Sequence, residues 1–123
     1  AAKLLGISNN EVQEDRIKAA KLISNKFSAS VILKGKETII CSSTEKELFM
    51  CTEGGPELSS GGTGDVLAGV LSALIAQKVN IVDACKISVA VHARAGKEFR
   101  NKTGEIGLNA SSLIPTIRDL LNK

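Results

Sequence analysis

The stretch that decides the fold is a glycine-rich loop that leads directly into an apolar helix: Ser59-Ser60-Gly61-Gly62-Thr63-Gly64-Asp65-Val66-Leu67-Ala68-Gly69. The wider segment Thr52–Asp65 is rich in glycine and also contains Pro56, which predicts a loop without regular structure. Behind it, apolar residues recur at helical spacing with small residues between them, which predicts a helix buried on most sides. These apolar residues are Val66, Leu67, Val70, Leu71, Leu74 and Ile75.

The end of this loop has the composition of an anion-binding turn. Gly62, Thr63 and Gly64 are small or permissive residues, and at a helix N-terminus their backbone amides are free to face a ligand. The helix dipole adds about 0.3–1 kcal/mol per favourable contact, so phosphate is the expected guest. A carboxylate at Asp65 would repel that phosphate unless it had its own task, which predicts a general base that takes a hydroxyl proton during phosphoryl transfer.

A second interpretation of the same turn is purely structural. A glycine turn that ends in Asp is also a common way to begin a helix, and glycine content alone is a weak signal of chemistry. The sequence contains neither Gly-x-x-x-x-Gly-Lys-Ser/Thr nor a Gly-x-Gly-x-x-Gly between a strand and a helix. P-loop and Rossmann-type nucleotide binding are therefore not indicated.

The flanking sequence predicts helices on both sides of a short strand cluster. Ser8 and Glu11 form a capping box ahead of a helix over residues 9–27. Three short strands are predicted at residues 30–34, 38–41 and 48–51, with Gly35 in the turn between the first two. Asn80 caps a helix over residues 81–100, and a glycine-bearing loop at 103–108 precedes a last helix that ends near Asn122.

Composition limits the class of protein. The chain has 123 residues, 43% of them hydrophobic, and a net charge of +3 from 16 basic and 13 acidic residues that are scattered along it. Scattered charge favours an anionic small molecule over nucleic acid, and three Phe with no Trp or Tyr argue against base stacking. Three cysteines without a CxxC pair and a single His predict reduced thiols in a cytoplasmic protein and no metal site. No membrane span or targeting segment is indicated.

The run from Gly54 to Gly69, continuing to Gln77, resembles the signature of the NAD(P)H-hydrate dehydratase family in the ribokinase-like superfamily. The resemblance extends over nearly the whole chain, through the following further segments: Leu4-Leu5-Gly6, Val31-Ile32-Leu33-Lys34-Gly35, His92 with Ala95-Gly96, and Gly104 to Leu108. Sugar kinases of the superfamily carry a Gly-Ala-Gly-Asp turn followed by an aromatic residue, and thiamin-pathway kinases carry Cys in place of Asp. Asp65 followed by Val66 therefore favours the dehydratase branch.

The resemblance implies an α/β fold, the ribokinase-like three-layer sandwich. Residues 1–123 would form the carboxy-terminal half of this single domain, with few strands and about four helices. It implies dehydration of NADHX and NADPHX, in which ADP or ATP phosphorylates the ring hydroxyl and phosphate is then eliminated. Asp65 would activate that hydroxyl and contact the substrate, and Gly62, Thr63 and Gly64 would hold the transferring phosphate. The nucleotide would be lined by Lys34, Gly35, Lys36, Glu37, Thr38 and Gly64. Mg²⁺ is expected as well, although no residue is identified as its ligand.

Two segments depart from the family pattern. Family members usually have Asn-Pro-Gly-Met before the anion hole, whereas this chain has Gly55-Pro56-Glu57-Leu58. The Lys-Gly turn usually continues Ala-Gly-Thr, whereas this chain has Lys36-Glu37-Thr38. These changes bear on nucleotide affinity more than on fold. They keep two alternatives open, a ribokinase-like kinase of a vitamin precursor or sugar and an inactive remnant of the fold.

The strand count predicts that this chain does not act alone. Two or three short strands cannot cover four helices, because an α/β layer fold needs a wider sheet. We therefore expect the chain to depend on an amino-terminal part of the domain or on self-association as a homo-oligomer, with no nucleic-acid or membrane partner. His92 lies among apolar helix residues and is expected in the core and not in the catalytic set.

Overall fold

A computed structural model of the chain describes residues 1–123. The chain divides into two compact units, Ala1–Met50 and Cys51–Lys123. The first unit contains three helices and most of a three-stranded sheet, and the second consists mainly of helices. The α/β class predicted from the sequence is confirmed.

The first unit begins with helices α1 (Ala2–Leu5), α2 (Asn9–Glu14) and α3 (Arg16–Phe27). The capping box predicted at the start of α2 is present. The Glu11 amide donates to Ser8 Oγ at 3.2 Å, and the Ser8 amide donates to Glu11 Oε2 at 2.8 Å. The hydrogen bond from the Ser8 backbone lowers the pKa of the Glu11 carboxyl, because it stabilises the charged form.

The single helix predicted over residues 9–27 is wrong in one respect, since the structure breaks it at Asp15. That residue has φ −145° and ψ 82°, and its carboxylate accepts a hydrogen bond from the Lys18 amide at 2.9 Å. Asp competes for backbone donors in this way, so it starts a new helix more readily than it continues an old one. The short helix α1 was not predicted, and its four residues contribute no buried side chain.

The three predicted strands are confirmed as β1 (Val31–Leu33), β2 (Thr38–Cys41) and β3 (Leu48–Cys51), in the order β1-β2-β3. Strands β1 and β2 are antiparallel, with Val31 opposite Cys41 and Leu33 opposite Ile39. Ala20 of α3 packs with Ile39 and Cys41 in a buried cluster, so α3 covers one face of the sheet. The tight connection between β1 and β2 places residues 34–37 at the exposed end of this pair.

The second unit contains helices α4 (Thr63–Ala76), α5 (Ile81–Thr103) and α6 (Leu113–Leu121). Short 3₁₀ helices at Pro56–Ser59 and Ala110–Ser112 precede α4 and α6, so the segment predicted as an irregular loop is partly helical. Asn80 caps α5 as predicted, since its side chain accepts from the amides of Val82 and Asp83 at 3.0 and 3.4 Å. Helix α5 continues to Thr103, three residues past its predicted end.

The core of the second unit lies between α5, α6 and the loop before α6. Its buried members are Ala95, Leu108, Leu113 and Ile117. The prediction that α4 is buried on most sides is wrong, because only Thr63 and Leu67 are buried and Ile75 is 41% exposed. Helix α4 packs along one face against α5 and α6. None of the helices has the length and apolar character that a bilayer crossing requires.

Two neighbouring residues of α6 test this core. Leu113 is fully buried, whereas Ile114 is 55% exposed. We expect Leu113→Ala to lower the free energy of unfolding by about 2–5 kcal/mol, because it removes a buried side chain and leaves a cavity. Ile114→Ala serves as the matched control and should change it by less than about 1 kcal/mol. Denaturant unfolding of both variants measures the difference, and equal losses would contradict this packing.

Candidate active site

The glycine turn lies where α4 begins, and Gly62 is its N-cap. Gly62 has φ 85° and ψ −12°, a left-handed conformation that side chains other than glycine rarely adopt. A Cβ atom at this position would also approach Ala110 Cβ to 3.1 Å. Both the backbone conformation and the close neighbour therefore require glycine here.

The hydrogen bonds of the turn decide which backbone amides can reach a ligand. The amides of Asp65 and Val66 donate to the Gly62 carbonyl at 3.0 and 3.2 Å, and the Thr63 amide lies 3.4 Å from the Ser60 carbonyl. The amides of Gly62 and Gly64 donate to no carbonyl of the turn. Since Gly62 is the N-cap and Gly64 lies in the first turn of α4, both amides add to the positive end of the helix dipole. This arrangement suits an anion.

Thr63 supports the turn from the inside. Its side chain is buried, at 2% exposure. Its hydroxyl is a single donor shared between the carbonyls of Leu58 at 2.8 Å and Ser60 at 3.0 Å. The hydroxyl is therefore committed to the protein backbone, and any contact of Thr63 with a phosphate would have to come from its backbone.

His92 fixes the same residue from α5. The ring is 3% exposed, and its Nε2 atom lies 2.8 Å from the Thr63 carbonyl oxygen. A carbonyl can only accept, so Nε2 carries the proton of this hydrogen bond. The sequence-based expectation of a core histidine is confirmed. His92 joins α5 to the first residue of α4.

Ser60 ties the turn to the loop before α6. Its hydroxyl donates to the Leu108 carbonyl at 2.7 Å. Sequence analysis did not identify this contact, because the two residues are 48 positions apart and neither side chain signals the other. The glycine turn is thus held by its own loop, by α5 and by the loop that carries Leu108.

Asp65 lies one residue beyond the predicted anion hole, in the first turn of α4, and its side chain is exposed. A carboxylate in the first turn of a helix is stabilised by the helix dipole. Because the carboxylate is exposed, it is accessible to a molecule bound beside Gly64. The structure thus places Asp65 next to the glycine turn, while its role as general base stays a prediction.

The predicted nucleotide turn belongs to the first unit. Lys34, Gly35, Lys36 and Glu37 are exposed, and Thr38 begins β2. Arg16 of α3 holds both ends of this turn, because its guanidinium donates to the carbonyls of Leu33 at 3.1 Å and Glu37 at 2.8 Å.

Sequence analysis missed Arg16, since a contact across 17 to 21 positions leaves no local pattern. The structure therefore groups the predicted residues into two sets, the nucleotide turn in the first unit and the glycine turn with Asp65 in the second.

The side chains outside the two turns were compared with the requirements of a metal site and of a reactive thiol. The chain contains no group of three or more His, Cys, Asp or Glu side chains that could hold a metal ion. Cys41, Cys51 and Cys85 are all free thiols. Burial raises the pKa of the Cys85 thiol, because desolvation disfavours the thiolate, so this cysteine is a poor nucleophile.

The NAD(P)H-hydrate dehydratase family model matches residues 1–119. The chain is 41% identical over 122 residues to the bifunctional NAD(P)H-hydrate repair enzyme Nnr of Vibrio cholerae, a match that covers 99% of this chain and 24% of that protein. It is 35% identical over 124 residues to the ADP-dependent (S)-NAD(P)H-hydrate dehydratase of Neisseria meningitidis, covering 100% of this chain and 42% of that one. The chain thus spans less than half the length of these relatives.

A solved structure has the same fold. It is that of the ADP/ATP-dependent NAD(P)H-hydrate dehydratase from Bacillus subtilis, co-crystallised with ATP and Mg²⁺. The TM-score is 0.88 at 23% sequence identity, and the match covers 95% of this chain and 42% of that one. The predicted ribokinase-like fold is confirmed by this likeness.

His92 gives a test of how the turn is held. We expect His92→Leu to destabilise the chain by about 1–3 kcal/mol, because it removes the donor to a buried carbonyl. His92→Gln should lose less, since the side-chain amide of Gln can place an N–H group near the position of Nε2. Denaturant unfolding measures stability, and hydrogen exchange of the Gly64 amide reports on the turn. Equal losses in the two variants would contradict the role of the hydrogen bond.

Proposed function

Since the chain belongs to the NAD(P)H-hydrate dehydratase family, we propose that it forms part of an enzyme that dehydrates NADHX and NADPHX with ADP or ATP. The observation that carries this proposal is the family match over residues 1–119, which includes the glycine turn and Asp65. Two relatives support the reaction, since one is a NAD(P)H-hydrate repair enzyme and another an ADP-dependent NAD(P)H-hydrate dehydratase.

In the proposed reaction, Asp65 accepts the proton of the ring hydroxyl as its oxygen bonds to the terminal phosphorus of the nucleotide. The bond from that phosphorus to the bridging oxygen breaks, and the shortened nucleotide leaves. The C–O bond of the ring then breaks with its electrons on the departing phosphate, while a neighbouring carbon gives its proton to water and its C–H electrons form the new double bond. These steps restore the double bond of the dihydronicotinamide.

The amides of Gly62 and Gly64 would stabilise the charge that develops on the transferring phosphoryl group. These two amides are available to a ligand because neither donates to a carbonyl of the turn. The amides of Thr63, Asp65 and Val66, in contrast, donate to carbonyls within it. Thr63 contributes by fixing the shape of the turn through its buried hydroxyl. Donors that are already oriented need no reorganisation during the reaction.

The turn Lys34–Thr38 is the proposed nucleotide contact. Its two lysines are exposed and offer positive charge to a polyphosphate, and Arg16 holds the carbonyls at its two ends. Glu37 is the unfavourable residue in this turn, since its carboxylate would repel phosphate. The Glu37 carbonyl, in contrast, is already occupied by Arg16.

We propose that Mg²⁺ binds together with the nucleotide. The chain offers no cluster of three or more His, Cys, Asp or Glu side chains, and Asp65 is the carboxylate nearest in sequence to the glycine turn. This donor set fits an ion that keeps its waters and is held mainly by the nucleotide phosphates, which is a common mode for Mg²⁺. When bound, such an ion neutralises phosphate charge.

We further propose that the active unit includes residues beyond these 123, either an amino-terminal part of the domain or a second copy of the chain. The sheet has three strands, and the relatives and the solved structure are more than twice as long as this chain. Exposed apolar side chains such as Leu4 and Ile106, at 51% and 90%, support a need for further cover. The three free thiols support a reducing, cytoplasmic setting.

Asp65→Asn tests the proposed base. We expect the rate of nucleotide-dependent NADHX dehydration to fall by about 10²- to 10⁴-fold, because the amide cannot accept the hydroxyl proton. Stability and nucleotide affinity should stay near those of the unmodified chain, since the side chain is exposed. The assay follows the return of NADH absorbance, with the chain alone and with the segment that completes the domain.

Asp83→Asn is the matched control, because Asp83 is likewise an exposed acidic residue in the first turn of a helix. It should leave the rate unchanged. Near-normal turnover in Asp65→Asn would exclude Asp65 as the base, and equal losses in both variants would indicate a general effect of charge.

Ligand protection tests the nucleotide turn. We expect ADP or ATP to slow amide hydrogen exchange of residues 35–38, since a bound phosphate would shield or bond these amides. Helix α2, in the same unit, provides the internal control and should show no change. Unaltered exchange at the turn, in a protein shown by calorimetry to bind the nucleotide, would refute this placement.

A further inference from the structure

Glu57 is an acidic residue whose side chain is buried in the protein. It lies in the 3₁₀ helix before the glycine turn and is 1% exposed. Neither of its carboxylate oxygens has a hydrogen-bond partner. The nearest cation is Arg100 of α5, whose Nη1 atom is 3.6 Å from Glu57 Oε2. An ionised carboxylate without hydrogen bonds is costly to bury unless an opposite charge compensates it.

Two glycines make room for this pair. A Cβ atom at Gly55 would lie 2.6 Å from both Glu57 Oε2 and Arg100 Nη1. A Cβ atom at Gly96 would lie 2.8 Å from a methyl carbon of Leu58 and 3.3 Å from Glu57 Oε1. The carboxylate therefore occupies the space in which a side chain of residue 55 would begin.

Other charges nearby are already engaged elsewhere. Arg94 and Lys97 each lie 3.8 Å from Glu53, and all three side chains are more than 40% exposed. Such exposed pairs contribute little to stability. Arg100 is thus the partner on which Glu57 depends.

The path from Glu57 to the glycine turn is short. Leu58 follows Glu57 in the 3₁₀ helix, and the Leu58 carbonyl accepts the hydroxyl of Thr63 at 2.8 Å. Thr63 in turn lies between Gly62 and Gly64. A shift of Glu57 would therefore be passed through one backbone carbonyl to the residue that shapes the turn.

We propose that Glu57 and Arg100 are a positioning pair, which holds the loop before α4 against α5 and thereby fixes the Gly62 and Gly64 amides. The pair contacts no reacting group in this role. Its effect on the turn holds whatever ligand the turn binds, and only its consequence for phosphoryl transfer rests on the proposed function.

The pair also accounts for the departure at Gly55-Pro56-Glu57-Leu58. Where the family pattern has a side chain at the first position and glycine at the third, this chain has glycine first and a side chain third. The Glu57 carboxylate fills the space above Gly55. The two changes therefore compensate each other, because the side chain present at residue 57 fills the space that the missing side chain of residue 55 leaves.

The difference in burial between the partners makes the test specific. Arg100→Met should lower Tm by about 5 °C or more, as expected when a buried charge loses its partner in a domain of this size. Glu57→Met should cost far less, because the Arg100 side chain is 33% exposed and can turn to water. The double variant should recover most of the loss of Arg100→Met, and Arg100→Lys should rescue part of it.

Arg118→Met is the control, since Arg118 pairs with Asp119 on the surface, with both side chains more than 60% exposed. It should leave Tm within about 1–2 °C. Amide NMR supplies the readout of positioning. The Gly62 and Gly64 resonances should move in both Glu57→Met and Arg100→Met, although only the second is unstable, and should stay in place in Arg118→Met.

Gly55→Asn and Glu57→Gly complete the test. Each single change should lower Tm, the first by collision with the carboxylate and the second by leaving unfilled the space that the buried Glu57 side chain occupies, which Met would fill. The double variant should be more stable than Gly55→Asn alone.

Additive losses, or Gly62 and Gly64 resonances that do not respond to Glu57→Met, would overturn the proposal. If Arg100→Met fails to fold, the Glu57→Met spectrum and the Gly55→Asn comparison still decide the question.

Discussion

The arrangement of the second unit depends on how the first residue of α4 satisfies its hydrogen bonds. Thr63 is buried, and its hydroxyl, amide and carbonyl all contact other groups of the protein. These contacts keep Thr63 in place. The backbone of Gly62 and Gly64 is therefore positioned even though neither of their amides donates to a carbonyl of the turn. An anion site at a helix start needs this combination of unpaired donors and a rigid residue between them.

The two acidic residues Asp65 and Glu57 differ in the same way, since one is exposed and the other is buried. The Asp65 carboxylate is exposed next to Gly64, where a ligand of the glycine turn can reach it. Glu57, eight positions earlier, is buried and lies 3.6 Å from Arg100, out of reach of a ligand at the glycine turn. Two acidic residues of one glycine-rich segment thus lie in opposite environments, and this difference in burial is why we propose a base at Asp65 and a positioning pair at Glu57.

The sequence predicts helix caps and strands correctly where the residues that form them are neighbours in the chain. The Ser8 and Glu11 capping box, the Asn80 cap and the three short strands depend on residues within a few positions of one another. The break at Asp15 was missed because its carboxylate can either face solvent within a helix or cap the next one. The exposed side of α4 was missed because a run of apolar and small residues does not reveal how much of it a partner covers.

The sequence by itself determined the family, the glycine turn and the position of Asp65, because these lie in one continuous segment whose residue types are restricted by backbone geometry. Only the tertiary structure decided what holds that segment. Ser60 meets Leu108 across 48 positions, His92 meets Thr63 across 29, and Arg16 reaches the turn after β1 across at least 17. Glu57 appears in the sequence only as a departure from a pattern, and nothing in the sequence identifies Arg100 as its partner. Contacts of this kind form only when the helices and loops pack together. Residues far apart in the sequence then become neighbours, and no local sequence pattern indicates which ones will meet.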